Sequence, residues 1–276
     1  MTTVPVRRHN HVRRLASDRA FDGALYPMYF IIIASISDPS LVAQGKILLL
    51  PRGVTLEGYE HLASMKNLWV GYGNTILYTI AGTAIMLVVN IPVAYALSRR
   101  DLVGRRWFTL FFVFPMFFGG GLIPTFIIIN NWFHLLDTFT VMVLPFSVIA
   151  YYIIVARTFF QSSLPAELWD AAQIDGCGNL RYFFTIVLPL VQPALITLTI
   201  FTFNGAWNNF LWPLIINTRS SMNVLTITMA TLSSNQTTNY GMVMAGATLT
   251  FVFPFLLYVF LQKQFVEGVA MGGVKG

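Results

Sequence analysis

Long apolar stretches separated by short polar clusters dominate the pattern of this 276-residue chain. Five intervals contain no Asp, Glu, Lys or Arg, namely Lys66 to Arg99, Arg106 to Asp137, Asp137 to Arg157, Arg181 to Arg219 and Arg219 to Lys263. About 20 apolar helical residues cross the roughly 30 Å hydrocarbon core of a bilayer. Four intervals exceed that length and the fifth nearly reaches it, so each predicts one membrane-spanning helix.

Five clear spans are predicted within these intervals, at Trp69–Leu97, Trp107–Ile129, Phe139–Ala156, Ile186–Phe203 and Tyr240–Leu261. A sixth apolar stretch, Ala24–Ile36, is short for a full crossing and would need local thinning of the bilayer. The predicted fold class is an all-α membrane protein with about six transmembrane helices. A basic segment, 1–23, precedes the transmembrane domain, 24–261, and a tail, 262–276, follows it.

Composition and charge placement restrict the class of protein further. Apolar residues make up 56% of the chain and charged residues 10%, where soluble domains have about a quarter charged. This excludes a disordered chain, a nucleic-acid module and an ordinary cytosolic enzyme. With six crossings, thirteen of the seventeen Lys and Arg fall on the side of both termini. Basic residues favour the cytoplasmic face, so both termini are expected there, with no nucleic-acid partner.

Proline and glycine interrupt the predicted spans. Each proline removes a backbone donor, and in lipid the carbonyl that it frees needs another partner. At any one position a simple packing kink is an equal alternative, but together the interruptions favour a transporter over an inert anchor. They are Pro92, Pro115, Pro124, Pro145, Pro189, Pro193, Pro254 and Gly119–Gly121.

Motifs for chemistry on this chain are missing from the sequence. It has no HExxH, no GxxxxGK[ST] phosphate loop and no GxSxG elbow, and its one cysteine is Cys177. We therefore expect no catalytic residue, metal or cofactor on this chain, and no enzyme. Every carboxylate lies outside the predicted spans, which disfavours ion-driven transport, although backbone carbonyls could still bind sodium. The energy source is expected on another polypeptide.

The segment 162–193 lies between the third and fourth clear spans and runs into the latter, and its first part predicts a short helix. Ser163 is expected to cap it, Pro165 favours its first turn, and Gly176 permits the reversal that ends it. Such a helix either docks into a groove of another protein or lies on the membrane surface. The residues expected to share its apolar face are Leu164, Leu168, Ala171 and Ala172.

This segment resembles the "EAA" loop of binding-protein-dependent ABC importers. The resemblance rests on LPAELWDAAQIDG at 164–176 and on IVLPLVQP at 186–193, in which Ile186, Leu188, Pro189, Leu190 and Pro193 match the motif. The residues Phe201, Phe203, Trp207, Asn208 and Phe210, with the C-terminal sequence, resemble the carbohydrate-uptake branch of that family. The resemblance covers most of the chain, from about Tyr26 to Gly276.

The resemblance implies a type I importer permease, similar to the smaller membrane subunit of maltose-type transporters, in a bacterial inner membrane. Implied partners are a second permease, two ATPase subunits that hold ATP and Mg, an extracytoplasmic solute-binding protein, an oligosaccharide and membrane lipid. The loop 157–185 would couple to the ATPase, and Asp170 stands where the family usually has glutamate. The implied coupling residues are Leu164, Glu167, Leu168, Asp170, Ala171, Ala172, Asp175 and Gly176.

A candidate substrate path combines amides, which satisfy sugar hydroxyls, with aromatic faces, which pack on pyranose rings. Its residues are Asn74, Tyr78, Asn204, Trp207, Asn208 and Asn209. The alternative is that the tryptophan belts the membrane boundary and the asparagines tie helices together. The segments 35–39 and 119–124 resemble a subgroup that handles oligosaccharides, including uronates such as alginate. An ion-coupled secondary sugar carrier, an intramembrane enzyme and a structural scaffold stay as alternatives.

Overall fold

The computed structural model describes the backbone of residues 25–234 and 239–273, and the side chains of these residues except Ala166 and 263–273. The predicted basic segment, 1–23, lies outside the described residues. Within the described ranges every regular element is helical, which confirms the all-α fold class.

Fifteen helices follow one another in the described ranges. Their bounds are α1 Leu25–Ser35, α2 Pro39–Ala43, α3 Glu57–Ser64, α4 Lys66–Ser98, α5 Arg105–Phe117, α6 Leu122–Ile128, α7 Phe139–Ser147, α8 Ala150–Ser163, α9 Ala166–Ile174, α10 Asn179–Tyr182, α11 Leu188–Leu190, α12 Gln192–Trp207, α13 Leu211–Ile216, α14 Leu225–Ser234 and α15 Tyr240–Gly273. Short π-helical segments are Ile129–Phe133 and Phe183–Val187, and Ser220–Met222 is a 3₁₀ turn.

Two single helices and three bent helix pairs have the length and apolar composition of membrane spans, which gives up to five crossings in the described residues. The single helices are α4 and the Tyr240–Gln262 part of α15. The pairs join α5 to Leu122–Phe133, α7 to α8, and Asn179–Leu190 to α12, with bends of 114°, 40° and 78°. Each of the five clear predicted spans has a counterpart, whereas α1 is a short apolar helix. Helix α15 continues without a break into the predicted tail.

The second predicted span is not one continuous helix. A 114° bend interrupts Trp107–Ile129 at the three consecutive glycines, where Gly121 has φ +82° and ψ 166°, a backbone conformation largely restricted to glycine. The break falls at the glycines that the sequence marks as an interruption of this span. The first arm begins at Arg105, which lines the same cavity as Phe160, and the second leads into Ile129, which lies in one apolar cluster with Trp212.

The break between α7 and α8 is held by a buried side chain of α4. Asn90 is fully buried, and its Nδ2 donates to the carbonyl oxygens of Met86 and Ser147, each at 2.9 Å. Its Oδ1 accepts from the backbone N–H of Ile149, also at 2.9 Å. A break within a span needs such partners, because lipid offers none to the exposed backbone groups.

The chain divides into two compact units. The first comprises residues up to Leu68 together with Met229–Phe253. Its apolar core contains Ile33, Ala34, Val42 and Ile47. Asp38 caps α2 by accepting from the backbone N–H of Ser40 at 2.8 Å, which satisfies an N–H group that the helix itself leaves unpaired.

The second unit comprises Trp69–Thr228 and the chain from Pro254 onward, and it holds two apolar clusters. The first, here the α9-end cluster, contains Met86, Ile91, Ala94, Leu97, Ile153, Ala156, Phe160, Ala172, Tyr182, Phe183, Val187, Val191 and Leu198. The second, here the α13-end cluster, contains Tyr78, Ile129, Val141, Met142, Val143, Trp212, Ile216, Val224 and Ile227. Helix α4 contributes to both and so connects the two ends of the unit.

Candidate functional site

Helix α9 is a short helix bounded by proline and glycine. Pro165 occupies its N-cap position, and the carbonyl of Pro165 accepts from the N–H of Leu168 at 3.3 Å. After Ile174, Gly176 adopts φ +70°, and its N–H donates to the carbonyl of Gln173 at 3.0 Å. The left-handed residue ends the helix as predicted, because glycine adopts this conformation without a side-chain clash.

The predicted cap at Ser163 is wrong. Ser163 is the last residue of α8, and no side chain caps the start of α9. The two helices follow one another so closely that the serine completes the earlier helix, while Pro165, with ψ 144°, supplies the extended backbone that separates them.

Two different faces distinguish α9. The packed face carries Trp169 and Ala172, which join the α9-end cluster together with the preceding Leu164, and Ala172 is only 5% exposed. The exposed face carries Glu167, Leu168, Asp170, Ala171 and Ile174, and Ile174 is 87% exposed. Asp175 and Gly176 are exposed as well.

The predicted grouping of four apolar residues on one face is therefore wrong for Leu168 and Ala171. Burial of the large indole of Trp169 rotates the helix so that positions 169 and 172 face the cluster, and positions 168 and 171 then point away from it. The sequence reasoning missed both Trp169 and Ile174. The spacing of tryptophan and alanine at i and i+3 was the available signal for the packed face.

A cationic side chain at the end of α4 lies against the packed face of α9. The guanidinium carbon of Arg99 lies 3.9 Å from the ring centroid of Trp169. Arg99 also donates from Nε and Nη2 to the two carboxylate oxygens of Asp101, at 2.9 and 2.7 Å. The hydrogen bonds from Arg99 hold the pKa of Asp101 below its usual value. Sequence reasoning used Arg99 only as a basic residue that marks a membrane face.

Residues of the candidate substrate path on α4 are engaged in packing. Asn74 Nδ2 donates to the carbonyl oxygens of Ser221 and Asn223, at 2.7 and 2.9 Å. Tyr78 is 6% exposed, and its ring centroid lies 5.7 Å from that of Phe139. These contacts attach α4 to the first residue of α7 and to the segment before α14.

The candidate residues on α12 divide into buried and exposed positions. Trp207 is 2% exposed, stacks on Phe203 with 5.7 Å between ring centroids, and meets the ring of Tyr72 edge-on at 5.9 Å. Asn204 and Asn208 are exposed one turn apart, and Asn208 Nδ2 donates to the side-chain oxygen of Asn204 at 2.8 Å.

Asn209 follows α12 and is half-buried, and its carbonyl accepts from Thr226 Oγ1 at 2.7 Å. The contact of Tyr72 with Trp207 joins α4 to α12, so the six candidate residues lie at one end of the second unit. The two exposed amides offer hydrogen-bond donors and acceptors to a polar ligand. The other four positions also anchor the helices around them.

A carboxylate at this end connects two loops. Asp137 has φ +54° and accepts hydrogen bonds from the hydroxyl of Thr218 and from the backbone N–H groups of Thr218 and Arg219, the latter two at 2.7 and 3.1 Å. These hydrogen bonds, that of the Thr218 side chain foremost, lower the pKa of Asp137. In the part of the chain that the structure describes, no group of three or more His, Cys, Asp or Glu side chains could hold a metal ion.

Comparisons with known proteins agree with this geometry. Residues 86–270 match the family described as the binding-protein-dependent transport system inner membrane component. The chain is 32% identical over 265 residues to the polygalacturonan/rhamnogalacturonan transport system permease protein YtcP of Bacillus subtilis, covering 91% of this chain and 92% of YtcP. It is 33% identical over 261 residues to the arabinooligosaccharides transport system permease protein AraQ of Halalkalibacterium halodurans, covering 92% of each.

Among solved structures, the crystal structure of a bacterial ABC transporter involved in the import of the acidic polysaccharide alginate contains a similar chain. The TM-score is 0.84 at 28% sequence identity, covering 96% of this chain and 100% of that one. This likeness confirms the fold of an ABC importer transmembrane domain, and the resemblance carried by the loop at 164–176 is confirmed with it. The chain belongs to the family of binding-protein-dependent transport system inner membrane components.

Proposed function

We propose that this chain forms one half of the translocation path of an ATP-driven oligosaccharide importer. It works with a second permease, two ATPase subunits that bind and hydrolyse ATP with Mg, and an extracytoplasmic solute-binding protein. Both termini face the cytoplasm of a bacterial cell, which the one-sided distribution of Lys and Arg supports. The chain itself performs no covalent step, and its role is to open the path alternately to the two sides of the membrane.

The two-faced helix α9 is the observation that carries this proposal. Its packed face joins the core of the unit through Trp169 and Ala172, while its exposed face presents Leu168, Ala171 and Ile174 between acidic side chains. Apolar side chains exposed beside small ones suit a groove of a partner protein. A helix that lies on the membrane carries basic residues on its polar face, whereas the charged residues of α9 are acidic and would be repelled by anionic lipid.

Ala171→Trp tests this docking directly. Ala171 is exposed, so the indole leaves the packing of the second unit intact while it obstructs a groove that accepts a small side chain. In proteoliposomes that contain the assembled transporter, we expect uptake and stimulated ATP hydrolysis to fall at least about tenfold, which corresponds to the loss of roughly 1.4 kcal/mol of coupling. Membrane insertion of the variant should be unchanged.

The matched control is Asn131→Trp, since Asn131 is also exposed but lies outside α9, two residues after Ile129 of the α13-end cluster. This variant should keep uptake and stimulated hydrolysis. Normal uptake by the Ala171→Trp protein would overturn the coupling assignment.

We propose an oligosaccharide as the substrate, with a uronate such as alginate as the first to test. The similar solved transporter is involved in the import of alginate, and by their names YtcP is a permease for polygalacturonan and rhamnogalacturonan and AraQ is a permease for arabinooligosaccharides. Asn204 and Asn208 are proposed to contact the sugar because both are exposed on one face of α12. The proposed path also includes four residues whose contacts with neighbouring helices and loops fix its shape. They are Asn74, Tyr78, Trp207 and Asn209.

A further inference from the structure

The C-terminal end of α4 is fixed to neighbouring elements by several side chains. Arg157 Nε, from α8, donates to the carbonyl of Leu97 at 3.3 Å, so an orphan carbonyl of the last turn of α4 has a partner. Tyr95, one turn before Arg99, packs its ring edge-on against Phe160 at 5.9 Å. The C-terminal end of α4 and helix α8 are thereby joined.

Arg99 extends this attachment to α9 through a cation–π contact with Trp169. Its guanidinium lies over the indole of Trp169 at 3.9 Å from the ring centroid, and its Nη1 donates to the Tyr95 hydroxyl at 3.2 Å. The fork of Nε and Nη2 on Asp101 fixes the plane of the guanidinium. The other partner of the indole is Tyr182, whose ring lies edge-on at 4.9 Å.

The main contribution of Asp101 is to orient the guanidinium group of Arg99. Its side chain is 66% exposed, and an ion pair so close to solvent contributes little to stability. The two parallel hydrogen bonds nevertheless prevent the guanidinium from rotating off the indole face. A lysine would keep the positive charge but could neither form the fork nor stack its flat face on the ring.

Trp169 is not enclosed by the core on every side. A cavity of about 640 Å³ adjoins the stack, and its lining includes Arg99, Trp169, Gln161 and Asp170. Because this space leaves part of the indole without a packed neighbour, the guanidinium supplies a contact that apolar packing does not.

We propose that Arg99 is a positioning residue that transmits movement of α9 to α4 through its stack on Trp169. The inference rests on the proposed docking of α9 to an ATPase subunit. Helix α4 has 33 residues, so it is about 50 Å long and carries Asn74 and Tyr78 near its other end. A displacement applied to its last turn is transmitted along the helix toward the candidate substrate path.

The test uses the assembled transporter in proteoliposomes and measures sugar molecules taken up per ATP hydrolysed. Arg99→Lys and Trp169→Leu should each lower this ratio about three- to fivefold, the range expected for the loss of a partly exposed cation–π contact. The double variant should be no worse than either single variant, because both remove the same contact. Trp169→Phe, which keeps an aromatic face, should restore most of the ratio.

Arg100→Lys is the matched control, since Arg100 is the adjacent, exposed arginine at the end of the same helix. It should leave the ratio unchanged. Co-purification of the ATPase subunit with each variant shows whether the chain has folded and assembled.

The outcomes separate this inference from the proposed function. If Ala171→Trp abolishes stimulated hydrolysis while Arg99→Lys behaves like Arg100→Lys, docking holds and the role of Arg99 is refuted. Additive losses in the double variant would also refute it, because the two residues would then act independently. If Ala171→Trp has no effect, the proposed docking of α9 to an ATPase subunit is refuted, and the proposed role of Arg99, which rests on it, is refuted as well.

Discussion

At the scale of single residues, exposure separates two kinds of asparagine. Asn204 and Asn208 lie exposed on a helix whose other residues are mostly apolar, whereas Asn90 is fully buried with three hydrogen bonds. An amide on a span is costly in contact with lipid, so exposed amides are expected to face water, a ligand or another subunit. The same residue type therefore supports two different roles.

Asn208→Leu tests the ligand-facing role. Removal of one amide that binds sugar should raise the KM for uptake roughly three- to tenfold, because one hydrogen bond contributes about 0.5–1.5 kcal/mol. The affinity of the separate solute-binding protein for the sugar should not change. Uptake kinetics measured beside Asn131→Leu, an exposed asparagine outside the proposed path, check this. Equal KM values in the two variants would show that Asn208 does not contact the sugar.

At the scale of elements, bends distinguish the spans from ideal helices. Three of the five candidate crossings in the described residues are bent pairs, with angles from 40° to 114°. Each bend leaves backbone groups that need partners inside the protein. The α7–α8 bend obtains them from Asn90, a residue of a different span, so this element depends on a tertiary contact.

Replacement of Asn90 by Leu should destabilise the α7–α8 break. The carbonyl of Ser147 and the N–H of Ile149 would lose their partner, at a cost of about 1–3 kcal/mol for each buried group. Thermal unfolding of the purified protein in detergent should show a lower Tm.

Thr83→Val is the matched control for that variant. Thr83 is a buried polar residue of the same helix whose hydroxyl makes no hydrogen bond in the structure, so its replacement should be close to neutral. Equal Tm values for the Asn90→Leu and Thr83→Val proteins would show that the bend does not depend on Asn90.

At the scale of the whole molecule, the source of energy distinguishes the proposed importer from an ion-coupled carrier. The described spans place no carboxylate inside the two long single helices up to Gln262, and the acidic residues of α9 lie in a polar segment. Transport by the chain is therefore expected to need the ATPase subunits. In vesicles that contain this chain alone, neither a proton nor a sodium gradient should drive sugar uptake.

Adding the second permease, the ATPase subunits, the solute-binding protein and ATP should produce uptake. Gradient-driven uptake by the isolated chain would favour the secondary carrier instead. Comparison of alginate oligosaccharides with neutral arabino-oligosaccharides in the complete system would identify the substrate class.

The spans and the helix α9 could be predicted because their signals are local. A charge-free interval of sufficient length can be counted directly, and the loop motif at 164–176 occupies consecutive positions. The end of α9 at Gly176 was predictable for the same reason, since the left-handed conformation is a property of one residue.

Other features depend on which residues meet in space. The 114° bend follows from three glycines, but glycine permits many conformations and does not select one. The orientation of α9 was mispredicted because its burial is decided by competition between Trp169 and Leu168 for the same cluster. The helical periodicity of apolar residues shows which residues can share a face of α9, but it does not show which of these faces is buried.

By itself the amino-acid sequence determined the class of protein, the positions of five spans and the segment that resembles a coupling loop, because hydrophobicity and motif spacing act along the chain. Only the tertiary structure decided that Asn90 supports a distant break and that Arg99 stacks on Trp169. These contacts join residues that are between 57 positions apart, as for Asn90 and Ser147, and 70 positions apart, as for Arg99 and Trp169. Such proximity arises from packing that no local pattern encodes.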